Sequence, residues 1–270
     1  MYKRDETKIH ARLKSDHDYL VSLGYEVVAV ALQGSQNYDL DHSDSDIDTK
    51  AIVLPKFRDL VMGAHQVSTT LVLESDEHID VKDIRLMMEN FLKQNINFLE
   101  FLFTKYIYIN PFYEVQMGTL LEKGEQIARH DNYRLVNSLV GMIHQKNKAL
   151  VHPYPATEHK IKEFGYDGKQ LHHMIRCLEF LERFIAGESF EDCLISTDAE
   201  KLIRIKRNEE YELETALIVA AATLEKAEGV KKAYASENEH VIVKEIAEML
   251  ENITMDILID YAEKFFKGRN

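Results

Sequence analysis

Four groups of residues in this 270-residue chain have the types and spacing to do chemistry. Gly34 and Ser35 end an apolar run, Val27 to Leu32. A glycine there lets backbone approach a ligand closely. A serine at a helix start offers a hydroxyl and an amide N–H to a phosphate. After ten intervening residues come Asp46, Ile47 and Asp48. Side chains alternate along an extended strand, so the two aspartates share a face. Two carboxylates facing a phosphate cradle suit Mg²⁺, which binds through carboxylates plus substrate phosphates. Ile79-Asp80-Val81 alternates like a half-buried strand and carries a third carboxylate; Asp83, at the apparent strand-to-helix junction, is its rival, since an acidic residue at a helix start needs no further reason. The last group is Lys169, His173 and Arg176, spaced i, i+4 and i+7 along one helix face, a stripe suited to a triphosphate or a nucleic-acid end.

Gly34-Ser35, Ser45-Asp46-Ile47-Asp48 and Lys50-Ala51-Ile52 resemble the polymerase-beta-like nucleotidyltransferase superfamily. The run from Gly34 to Pro55 is most similar to the predicted nucleotidyltransferases associated with RNA ligases and RNA repair, and the stretch from Tyr166 to Arg176 matches the same family more weakly. Members usually carry Tyr-Gly where this chain has Tyr38-Asp39. The resemblance implies a small mixed-sheet catalytic domain, residues 1–112, followed by an all-helical domain, residues 113–270: an α+β chain. It implies that Asp46, Asp48 and Asp80 hold two Mg²⁺ ions, with Mn²⁺ as a substitute, and that Asp80 accepts the acceptor's proton. Gly34, Ser35, Lys169, His173 and Arg176 would bind the nucleotide, with the helix bearing the last three closing over the catalytic face. The expected reaction moves a nucleoside monophosphate from an NTP such as ATP to a hydroxyl, releasing pyrophosphate. RNA, such as a broken or damaged tRNA end, is the acceptor the resemblance favours; a protein side chain or small molecule is the alternative, and a nucleotide-binding protein without turnover is the other class.

Composition narrows the rest. The chain is 45% hydrophobic, enough for a sizeable core, and its formal charge of −13 opposes loose, charge-driven binding to bulk nucleic acid. Cys177 and Cys193 are too few for a disulfide framework and read as small core residues. No run approaches the length of a membrane span and the first residues lack a signal peptide's apolar segment, so a cytoplasmic protein without membrane partners is expected.

These groups need elements to position them. Apolar periodicity predicts a helix over 9–21 ended by Gly24, strands over 27–32, 47–54, 67–73 and 78–81, a helical turn over 57–62, a helix over 82–94, helical character over 98–103 and a short strand over 106–109. Beyond residue 113 the pattern is helical: 114–128, 133–150, 169–185, 190–207, 209–226 and 240–266. Pro153, Pro155, Gly165 and Gly168 mark 151–168 as a loop. The last helix is amphipathic and is expected on the helical domain, with a dimer seam as second choice. His172 reads as structural. The basic cluster Lys201, Arg204, Lys206 and Arg207 reads as a solvated face paired with Glu209 and Glu210. His144, His152 and His159 lack zinc spacing.

Overall fold

The computed structural model describes residues 4–41 and 45–267. Asp44, which lies in the run carrying the family resemblance, falls outside them. The architecture is α+β, as expected. The first elements are α1 (Glu6–Ser22), β1 (Glu26–Gln33), a 3₁₀ turn at Ser35–Tyr38, β2 (Asp48–Leu54), α2 (Phe57–Val61), β3 (Ser68–Val72) and β4 (His78–Asp83). Next are α3 (Ile84–Leu92), α4 (Ile96–Leu99), a 3₁₀ turn at Glu100–Phe103, β5 (Ile107–Ile109), a 3₁₀ turn at Pro111–Tyr113, α5 (Glu114–Glu122) and α6 (Gly124–Ala128). Then come the helices α7 (Asn132–Ala149), α8 (Glu158–Phe164), α9 (Gly168–Ile185), α10 (Phe190–Leu194), α11 (Ala199–Lys206), α12 (Leu213–Glu237) and α13 (Lys244–Lys267).

The chain divides into two compact units. The first comprises residues 4–37, 45–130 and 242–267; the second, residues 38–41 and 131–241. The sequence pattern changes character near residue 113, but α5, α6 and the final helix all belong to the first unit.

The first unit is built on a five-stranded mixed sheet in the order β3-β4-β2-β1-β5, with β2 parallel to β4 and the other pairs antiparallel. Alternation assigns its two faces. Val27, Val30, Leu32, Ala51, Val53, Ile79 and Val81 form one core with Ile9, Leu13 and Leu20 of α1. On the other face the register aligns Asp48 with Gln33, and Lys50 with both Ala31 and Asp80. A bulge at Val28 resets the β1–β2 register without exposing either set. α3 begins where Asp83 caps it, accepting from Arg85 N at 2.9 Å. It lies against β2 and β4.

The final helix, α13, packs on α3 and α5, both in the first unit; of these α5 lies within the expected helical domain and α3 does not. Phe57 stacks on Phe265 with ring centroids 4.6 Å apart, Gln116 donates to Asp260, and Lys264 pairs with Glu26 at 2.6 Å. Amphipathic spacing establishes that a helix has an apolar stripe, not which surface receives it.

In the second unit α9 is central, packed by α7, α10, α11 and α12. Asp167 caps its start, accepting from Lys169 N at 3.1 Å. The helix expected over 190–207 is broken. Ser196 and Thr197 donate to the Glu179 carboxylate of α9, and Asp198 then caps α11. Helix α8 sits in the expected loop; none of its residues is buried, so it leaves no apolar period to read. Among the described residues no helix is long and apolar enough to cross a membrane.

Candidate functional site

Gly34 and Ser35 lie just past the end of β1, as expected, but the element that follows is a four-residue 3₁₀ turn rather than an α-helix. Gly34 sits at φ 89°, a left-handed backbone that side chains resist, and a Cβ built there would meet nothing within 4 Å. Asn37 fixes the turn: its amide nitrogen donates to Leu32 O at 2.7 Å and its carbonyl accepts from Thr104 Oγ1 at 2.8 Å. Asp39, where the resembled family usually has glycine, has φ 56° and so occupies the conformation glycine takes without strain.

The turn and the aspartate pair are neighbours. Gln36, buried, donates through Nε2 to the backbone oxygen of Asp46 at 3.0 Å. Gln33 is opposite Asp48 in the β1–β2 ladder. Only Asp48 lies within β2; Asp46 precedes it. The alternation nonetheless holds, because Ile47 is buried in the core shared with α1 while Asp46 is exposed and Asp48 is half-exposed. Asp48 Oδ1 accepts from His78 N at 2.9 Å and lies 3.3 Å from His78 Nδ1.

What holds this segment was not legible in advance. Glu77 Oε1 accepts from Ile47 N at 3.0 Å, and Glu77 Oε2 pairs with Arg12 of α1. Arg12 also binds Asp16 at 2.7 Å, and Asp16 accepts from Thr49 Oγ1 at 2.6 Å. One guanidinium and two carboxylates thus fasten the backbone of residue 47 and the side chain of residue 49, the positions that alternate with Asp46 and Asp48. Burial raises the pKa of Asp16, against its bonds from Thr49 and Arg12. Burial also works against the charge on Glu77, but the Ile47 amide, Ser75 and Arg12 together hold its pKa below the usual value.

Asp80 is on the same sheet face as Asp48, two residues further along its own strand than His78. Its oxygens are engaged by two lysines: Lys82 Nζ at 2.8 Å from Oδ1 and Lys50 Nζ at 3.4 Å from Oδ2, with Thr70 Oγ1 donating to Oδ1 at 3.3 Å. Lys50 is only 3% exposed. Its ammonium also donates to Asn97 O at 2.8 Å and lies 4.3 Å from the centre of the Phe98 ring. Burial lowers its pKa, opposed by the charges of Asp80 and Glu100. Asp83 is structural: it is fully buried, caps α3 and holds Arg85 through both oxygens. Among the described residues no three His, Cys, Asp or Glu side chains group so as to hold a metal ion. Asp46 and Asp48 have the donor chemistry and exposure for a divalent cation; Asp80, on the same sheet face as Asp48, is already paired with two ammonium groups.

The second unit brings Lys169, His173 and Arg176 together on α9 and adds Lys146 from α7. Lys146 has its pKa lowered by burial, with Lys169 and Arg176 also lowering it. His173 has its pKa pushed well below the usual value by surrounding protein and by Arg176, His172, Lys146 and Lys169. The Arg176 guanidinium lies 4.0 Å from the centre of the Tyr38 ring, a cation–π contact between buried groups. His172 is structural: it is buried, its Nδ1 lies 2.9 Å from Leu202 O, and burial lowers its pKa to about 4. In the basic cluster, Arg204 pairs with Glu210 at 2.7 Å and Arg207 with Glu209 at 3.3 Å, as the sequence suggested.

No protein-family model and no curated protein sequence matches the chain. Among solved structures, a nucleotidyltransferase-like protein from Exiguobacterium sibiricum 255-15 is similar with a TM-score of 0.32 and 10% identity, covering 84% of this chain and 75% of its own. That overlap is shallow, and this chain's own residues bear the functional reading.

Proposed function

We propose that this chain is a Mg²⁺-dependent nucleotidyltransferase that moves a nucleoside monophosphate from an NTP to an RNA hydroxyl. One observation supports the reading: Gln36, next to the Gly34-Ser35 turn, is bonded to the Asp46 backbone, which keeps that turn beside the segment carrying Asp46 and Asp48, and a Cβ at Gly34 would meet open space. Gly34 and Ser35 bind the triphosphate through backbone N–H groups and the serine hydroxyl. Asp46 and Asp48 hold the divalent cation, which when bound neutralises phosphate charge. The acceptor oxygen bonds to the α-phosphorus as the bond to the pyrophosphate oxygen breaks, and the hydroxyl proton passes to water. Catalysis of this kind is mostly positioning and charge neutralisation, and the Gln36 and Glu77 tethers are what give these residues a fixed position. The formal charge of −13 favours a second acceptor class, a protein or small molecule.

The test is incubation with each α-labelled NTP, Mg²⁺, and either total RNA or total protein. Label is expected in RNA and lost with Asp46→Asn/Asp48→Asn, whose fold is checked by thermal melting. Label in protein selects the second acceptor class. Undiminished transfer by the double variant refutes the assignment of these carboxylates.

A further inference from the structure

The sheet face that bears Asp48 also carries a fixed cation of the protein's own. Parallel pairing of β2 with β4 sets Lys50 directly beside Asp80. The Lys50 side chain is buried to within a few per cent, and its ammonium has three partners: the Asp80 carboxylate, the Asn97 carbonyl and the face of Phe98. It cannot swing to solvent without stripping Asp80 and leaving an orphaned carbonyl. Lys82, on the same strand as Asp80, takes the other carboxylate oxygen and also donates to Ser68 Oγ at 3.0 Å. Both oxygens of Asp80 therefore face ammonium groups, whereas Asp46 is exposed and Asp48 is engaged through one oxygen by the amide and ring of His78.

Resting on the nucleotidyl-transfer reading, we propose that the site takes one divalent cation, at Asp46 and Asp48, and that Lys50 and Lys82 supply at Asp80 the positive charge a second cation would bring. Asp80 is then a positioning residue: it fixes two ammonium groups beside the reacting phosphates. A second ion at Asp80 would have to displace both lysines. It would strip the buried Lys50 ammonium of its paired carboxylate and leave Glu100 as the counter-charge, a loss that is costly at a buried site. The expectation of two ions on three carboxylates gives way, in this proposal, to one ion and two lysines.

The experiment counts ions. Mn²⁺ is titrated into the full chain in the presence of each α,β-methylene nucleoside triphosphate in turn, and bound Mn²⁺ is measured by electron paramagnetic resonance. Wild type is expected to bind one ion per chain, and Asp80→Asn also one. Lys50→Met/Lys82→Met, which frees the Asp80 carboxylate, is expected to bind two. Two ions on wild type, falling to one in Asp80→Asn, would overturn the proposal while leaving nucleotidyl transfer standing. So would a lysine double variant that melts like wild type yet still binds one. If that variant does not fold, the comparison of wild type with Asp80→Asn decides. Wild type binding no ion with any of the analogues would overturn the nucleotidyl-transfer reading and this inference with it. A structural role for Lys50 alone would change melting temperature but not the ion count, and Lys50→Arg should restore a count of one in the Lys82→Met background.

Discussion

Glu77→Ala tests whether the presentation of Asp46 and Asp48 depends on the tether beneath them. The substitution removes the acceptor of Ile47 N and one of the two carboxylates on Arg12. It also removes the bond from Ser75, which is exposed and adds little. A hydrogen bond to a charged group contributes about 1.5–3 kcal/mol, and a buried amide left without an acceptor costs about 1–3 kcal/mol. Arg12 keeps Asp16, so its loss is partial. Glu77 is itself 17% exposed, which trims the ionic part. The sum comes to about 3 kcal/mol, roughly a 150-fold shift in the folding equilibrium and about 1 M in urea midpoint for the first unit. Glu77→Gln keeps an acceptor for Ile47 and should lose about half of that. The sign of the pH dependence follows from the lowered Glu77 pKa. A carboxylate whose folded pKa is depressed stabilises above its unfolded value of 4.5, and loses that stabilisation as pH falls through the folded value. The difference between wild type and Glu77→Gln should therefore be full at neutral pH and shrink below pH 4.5. Urea unfolding at several pH values, followed by circular dichroism, measures both. A Glu77→Ala midpoint corresponding to less than about 1 kcal/mol, or a difference that grows on acidification, would refute the tether.

Gly34→Ala places a side chain at φ 89°, at a cost of about 1–2 kcal/mol; because its Cβ meets open space, folding should survive while NTP binding, read by calorimetric titration, weakens at least tenfold. Gly168→Ala should be worse for folding, since its Cβ would come within 2.1 Å of Ile205 O; about 1–3 kcal/mol of destabilisation is expected, confined to the second unit in hydrogen exchange, and a wild-type melt would contradict the packing of α9 on α11. His172, with its pKa lowered to about 4, should show no ring titration by NMR between pH 5.5 and 8; because its folded pKa lies below the unfolded value of 6.5, stability from this group is full above pH 6.5 and declines as pH falls toward 4.

The strands were legible because their burial is one-sided or complete. Val27 to Leu32 reads as a buried strand and is one, and Asp46-Ile47-Asp48 alternates as its neighbours in space require. Gly34 was legible as a turn because only glycine sits easily at that φ. What failed was knowledge of partners. Glu77, Arg12 and Lys50 look like ordinary surface charges until β2, β4 and α1 are brought together, and a strand pattern carries no register across a parallel pair. Asp80 and Asp83 are three apart in sequence, and only the capping of α3 by Asp83 separates their roles. Lys146 lies outside the motif that marks Lys169, His173 and Arg176, so only the packing of α7 on α9 reveals it. Helix α8 was missed for the opposite reason, since it buries nothing.

The final helix has a consequence for how the molecule is made. The chain leaves the first unit after His130 and rejoins it at Ile242, where Val243 N bonds His130 O at 2.9 Å. A ribosome therefore synthesises the whole second unit before it releases the segment that covers Phe57 and reaches Gln116 and Glu26. Until then the nascent first unit exposes the surface meant for α13, while the second unit, apart from residues 38–41, is already complete in one stretch. Contacts that span more than a hundred intervening residues close late and slowly. Holding the half-built sheet unit in solution during that interval is work for chaperones, and it sets the period in which this protein is most exposed to aggregation.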